Sequence, residues 1–166
     1  MAQDLLPNPR QASAMTVLDG CSPALKGLLT RANDGYFEVV NEIAESLSLR
    51  AEAKAMLPAL EAAAAPCGGK AVVQVLAPLV ALYGVGDKSE GEWKAFWGFY
   101  IDALEDLPIE AIRAGVKDYV ADRDSQFFPK PGPLRDLCMS RAAKALTAYR
   151  RASGALRQPI PKRPKP

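Results

Sequence analysis

Apolar residues recur at helical spacing through most of the chain. Tyr36, Val40, Ile43 and Leu47 fall at steps of three and four, and after Ser48 a second run sets Ala53, Met56, Leu57, Leu60 and Ala64 on one face. Pro58 predicts a kink or division in that second helix, because proline removes a backbone donor and crowds the preceding turn. The Ala-rich end, Ala62 to Ala65, stops at Pro66-Cys67-Gly68-Gly69. Val72, Val75, Leu76, Leu79 and Tyr83 carry the next stripe, which Pro78 predicts to contain an irregular turn and which ends at Gly84-Val85-Gly86-Asp87.

Ser89-Glu90-Gly91-Glu92 has the form of a capping box, in which Ser and Glu each satisfy a free backbone N–H of the other's residue at the first turn. Trp93, Phe96, Trp97, Tyr100, Ile101 and Leu104 follow as the clearest amphipathic stripe in the chain. Leu107-Pro108 closes that helix and opens another, whose predicted buried face is Ile109, Ile112, Val116, Tyr119 and Val120. A linker from Ser125 to Gly132 leads to a final helix starting at Pro133, with Leu134, Leu137, Cys138, Ala142, Leu146 and Tyr149 on its apolar side and fraying around Ser153-Gly154. No segment alternates apolar and polar residues between hairpin turns. The predicted fold is all-α: a bundle of five to six helices over residues 35–153, a flexible N-terminal arm over residues 1–34 with a short helical turn near Ala24 to Thr30, and a disordered, basic, proline-rich tail over residues 154–166.

Composition narrows the chemistry. The chain has 166 residues and 49% hydrophobic content, enough for one domain with a core. It contains no histidine, which removes Ser-His-Asp and Cys-His relays and His-ligated metals. Three separated cysteines, Cys21, Cys67 and Cys138, offer neither a disulfide framework nor a C-x-x-C pair. An acidic, proline-broken start is unlike a secretory signal, and no apolar run reaches membrane-spanning length, so the expected location is a reducing cytoplasm with no membrane partner.

Gly84-Val85-Gly86-Asp87-Lys88-Ser89 lacks the spacing and the preceding strand of a phosphate loop. Pro66-Cys67-Gly68-Gly69-Lys70 reads as a helix break rather than an activated thiol, and the acid pairs Glu105-Asp106 and Asp122-Asp124 as solvated turn residues. These readings predict a protein that is not an enzyme, with no catalytic residues, no metal and no cofactor.

The net charge of +2 is a cancellation. Residues 1–129 carry 11 Lys+Arg against 18 Asp+Glu, and residues 130–166 carry 10 against 1, so an acidic body at −7 bears a basic arm at +9. Arg141, Lys144 and Arg151 project within about a quarter turn on the last helix. With Arg135, Arg150, Arg157, Lys162 and Arg163 they are the candidate nucleic-acid-binding residues, where neutralised phosphates would release counterions. Docking to an acidic protein surface, or a solvated helix face with a solubilising tail, are the alternatives.

Trp93, Phe96, Trp97 and Tyr100 form one face that a helical core needs, whereas Phe99 points off it toward solvent. Phe127-Phe128-Pro129 places two large aromatics in a loop, where they either plug the bundle or anchor a partner. Plugging is the favoured reading; as a partner surface the candidates are Phe99, Phe127, Phe128 and Pro129.

From Trp93 to Leu137 the chain resembles phage-encoded proteins that load or inhibit the replicative helicase, of the replication protein P type. The resemblance rests on Trp93-Lys94-Ala95-Phe96-Trp97-Gly98-Phe99-Tyr100, the Leu107-Pro108 break, a helix with Ala111, Ala114 and Tyr119, Phe127-Phe128-Pro129, and Gly132-Pro133-Leu134-Arg135-Asp136-Leu137. It implies a non-enzymatic helical protein that binds the host's replicative helicase, or another replication protein, with a further contact to an initiator or DNA. The alternative is a DNA-binding regulator that reads through the basic C-terminal helix and tail.

Overall fold

The computed structural model describes residues 14–32 and 35–160. Among these residues there are eight helices and no strand: α1 (Ala14–Asp19), α2 (Pro23–Thr30), α3 (Tyr36–Glu45), α4 (Leu47–Ala64), α5 (Gly69–Tyr83), α6 (Glu90–Leu104), α7 (Ile109–Ala121) and α8 (Pro131–Arg157). The chain is all-α as its periodicity predicts, with more helices than expected. It divides into two compact units. One holds the helices up to Ala63 together with the chain from Ala145; the other is Ala64–Lys144, so α8 gives its second half to the first unit and its first half to the second.

The first unit corrects the expectation of a flexible arm over residues 1–34, since residues 14–30 form two helices. Val17 and Leu18 of α1, Cys21 of the turn that follows, and Leu25, Leu28 and Leu29 of α2 join Val39, Val40, Ile43, Leu60, Ala148, Ala152 and Ala155 in one core. Residues 1–13 lie outside the described residues. Ser22 caps α2, its hydroxyl accepting from the Leu25 N–H at 3.2 Å while donating to Glu52 at 2.7 Å, so α2 is tied at its start to α4.

α8 also corrects the sequence reading. It starts at Pro131 rather than Pro133 and continues through Ser153-Gly154 to Arg157. Gly154 is buried where α8 meets α3: a β-carbon there would collide with the Tyr36 hydroxyl, which donates to the Arg150 carbonyl at 3.2 Å. Glycine lets α3 side chains approach closely at a position that reads as a fraying end, and a larger residue would displace the Tyr36 ring. Residues 154–157 belong to the helix, and Lys162 and Arg163 of the predicted tail lie outside the described residues.

In the second unit α5 packs on α6 and α7. Val72, Leu76, Leu79, Tyr100, Leu104, Leu107, Ala111, Ile112, Leu134, Cys138 and Ala142 are buried there. The Ser89–Glu92 capping box forms as the sequence predicts, with the Glu92 carboxylate accepting from the Ser89 N–H at 2.8 Å. Gly84 at φ +60° closes α5 in the left-handed conformation, its N–H bonded to the Val80 carbonyl. Neither α4 nor α5 divides at its proline, because Pro58 and Pro78 both sit on exposed positions where an unpaired carbonyl can be solvated.

Candidate partner-binding site

The aromatic stripe of α6 meets the loop between α7 and α8 in the second unit. Asp122 ends α7; its side chain accepts from the Asp124 N–H at 3.1 Å and its carbonyl from the Ser125 N–H at 3.2 Å, so the loop begins as a tight turn. Two tyrosines then fix the loop at successive points. Tyr119 donates to the Phe127 carbonyl at 2.9 Å, and the buried Tyr100 hydroxyl donates to the Pro129 carbonyl at 2.7 Å. Burial raises the Tyr100 hydroxyl above its ordinary pKa, which keeps it a donor through the neutral range.

Between these tethers Phe128 turns inward. Its ring lies 5.3 Å from Phe96, 5.4 Å from Tyr100 and 6.5 Å from Tyr83, in tilted and edge-on contacts that favour the ring quadrupoles. Pro129 is buried beside it. Phe127 does the opposite, being 77% exposed although the backbone on either side of Phe128 is held. Plug and anchor, posed as alternatives for the loop, are divided between its two phenylalanines.

Phe99 is 67% exposed, the solvent-facing position its spacing predicts. Phe99 and Phe127 are the chain neighbours of Tyr100 and Phe128, whose rings touch. Leu82 and Val120 are exposed as well, and they neighbour Tyr83 and Tyr119, whose rings lie 6.2 Å apart. Each of these four apolar side chains thus stands next to a member of the inward aromatic cluster. Val120 was expected on the buried face of its helix, a small angular error at the end of α7; Leu82 gave no signal, since an exposed leucine is common. Trp93, Phe96 and Trp97 are half-buried rather than enclosed, with the two indoles stacked at 6.1 Å and the Lys88 ammonium 5.8 Å from the Trp93 ring.

The basic candidates separate into two groups. Arg135 holds Asp106 through two bonds at 2.6 and 2.8 Å and also donates to the Ala103 carbonyl. This pairing draws the Asp106 carboxyl below its usual range. Arg141 pairs with Asp118 at 2.5 Å. Arg151 is only 5% exposed, and its guanidinium donates to the carbonyls of Leu28, Leu29 and Arg31 at 3.0, 3.2 and 2.8 Å, closing the C-terminus of α2. It is removed from any phosphate-facing stripe because its charge is spent inside the fold. Lys144, Arg150 and Arg157 are exposed, with no ion-pair partner among the described residues.

Cys21 and Cys138 are buried and Cys67 is half-buried. Desolvation raises all three thiols, Cys138 to about 12. Among the described residues no three Cys, Asp or Glu side chains group so as to hold a metal ion, and no single helix is long and apolar enough to cross a membrane. Comparisons with protein-family models, with curated proteins and with solved structures each found no match.

Proposed function

We propose that this chain is a non-enzymatic, cytoplasmic helical binding protein of phage type that acts in DNA replication by engaging the replicative helicase, with Phe127 as the principal anchor and Phe99 as a second contact. The observation that supports binding through this end is Phe127 itself, a large apolar ring held in solvent by a loop whose flanking carbonyls are both fixed. Because the backbone that carries the ring is already held, enclosing it costs side-chain rotamer freedom but little loop ordering, which leaves more of its burial to contribute to affinity. The Trp93 to Leu137 resemblance is what favours the replicative helicase as the partner.

The test is analytical size exclusion of the full chain with its host's replicative helicase at micromolar concentration. Co-elution with the wild type, and its loss for Phe127→Ser with the fold intact, is the expected pair of results. Absence of co-elution for the wild type would end the helicase reading.

A second reading is DNA contact by α8. It is favoured by Arg150 and Arg157, exposed and seven residues apart, hence within about 20° of one another around the helix axis. Salt titration of duplex binding separates it: Arg150→Ala and Arg157→Ala would each lower the salt slope by about one phosphate contact.

A further inference from the structure

An open groove of about 470 Å³ lies in the first unit between α4 and the end of α8, lined by Leu47, Arg50, Ala51, Lys54, Leu57, Leu156 and Ile160. From the geometry of this groove we infer that it is a docking site for an acidic amphipathic helix of a partner protein. The inference uses none of the residues assigned to helicase contact and does not depend on that reading.

The α4 wall is one helical stripe. Positions 47, 50, 51, 54 and 57 fall within about 120° around the axis and extend about 15 Å along it, the length of a three-turn ligand helix with anchors at i, i+3 or i+4, and i+7. The opposite wall is fixed in place by Arg50, which donates to the carbonyls of Ala155, Leu156 and Gln158 at 2.8, 3.0 and 2.8 Å. These bonds satisfy the end of α8 and leave the groove formed before any ligand arrives, which lowers the ordering cost of binding. Large aliphatic side chains stand open along it: Leu47 is 65% exposed and Ile160 66%. The lining contains two cations and no carboxylate. Arg50 is engaged by carbonyls, while Lys54 is exposed with no partner among the described residues. Apolar walls with one available ammonium complement a helix that carries aliphatic anchors and a carboxylate at its edge.

The test is a selection from a phage-displayed library of random twelve-residue peptides on the immobilised full chain, counter-selected on the Ala51→Glu variant. The winning peptide is then synthesised with a fluorophore and titrated by anisotropy. Ala51 and Lys54 are both exposed, so substitution there leaves the core intact, as thermal unfolding will verify. Enrichment of acidic sequences with aliphatic residues at helical spacing is expected, with affinity at least about tenfold weaker for Ala51→Glu and about fivefold weaker for Lys54→Glu. Failure to enrich any peptide that discriminates against Ala51→Glu would overturn the inference. Enrichment of basic or proline-rich peptides would do the same. So would saturable binding of dodecanoate in place of peptide, which would assign the groove to an acyl chain.

Discussion

Gly115 on α7 lies directly against Cys138 on α8: a β-carbon on the glycine would stand 2.6 Å from the Cys138 sulphur and 3.0 Å from its Cα. The second of these is backbone and cannot rotate away. Gly115→Ala must therefore push α7 from α8, and its expected cost is about 2 kcal/mol despite alanine's better helix propensity. Gly27 on α2 meets nothing within 4 Å and provides the control. Gly27→Ala is expected to stabilise by about 0.5–1 kcal/mol, and urea denaturation of the two variants beside the wild type checks both signs.

Arg151 is expected to behave as a structural residue. Arg151→Ala leaves three carbonyls at the end of α2 without their charged donor, at a cost of about 2–4 kcal/mol. Arg150→Ala, its exposed neighbour, is expected to change stability by less than about 0.5 kcal/mol. Thermal melts of the two variants separate a buried cation from a surface one.

Thiol reactivity follows burial. With its pKa near 12, Cys138 presents about one thiolate in ten thousand at pH 8, and it is also enclosed. A disulfide reagent added to the native chain at pH 8 is expected to modify Cys67 slowly and to leave Cys21 and Cys138 intact, with all three reacting in urea. Peptide mapping after quenching reads the order.

Two carboxylates link stability to acid. Hydrogen bonds from Ser89 lower the Glu92 pKa, and hydrogen bonding by Arg135 lowers that of Asp106. A carboxyl depressed on folding adds stability above its unfolded pKa, about 4, and loses it as pH falls through the folded value. The wild type is expected to lose stability as pH falls below about 4. Asp106→Asn, which cannot titrate, is expected to be less stable at pH 7 by about 1 kcal/mol and to lose less on acidification; denaturant midpoints across that range decide it.

Local chemistry was legible in the sequence. The Ser89–Glu92 box needs only residues three apart, and the α6 stripe placed Tyr100 inside and Phe99 outside from spacing alone. What escaped depends on partners distant along the chain. α1 is too short to show a sustained stripe, and α2, legible only as a helical turn near Ala24 to Thr30, is held at its two ends by Glu52 and Arg151. Arg151 looks like a member of a basic face because periodicity cannot register a carbonyl terminus 120 residues earlier. Gly154 looks like a fray because Tyr36 is absent from its neighbourhood in sequence. At the candidate site the Phe127-Phe128-Pro129 loop was visible as apolar, but its division into plug and anchor required the two tyrosine tethers.

The most direct test of partner binding through the loop is the affinity of the full chain for its host's replicative helicase, measured by interferometry for wild type and Phe127→Ser alongside their thermal midpoints. The account predicts micromolar or tighter binding by the wild type, at least about tenfold weaker binding by Phe127→Ser, the loss of roughly 1.4 kcal/mol or more expected of an anchor, and an unchanged midpoint. Equal affinities for the two proteins, or no binding by either, would contradict it.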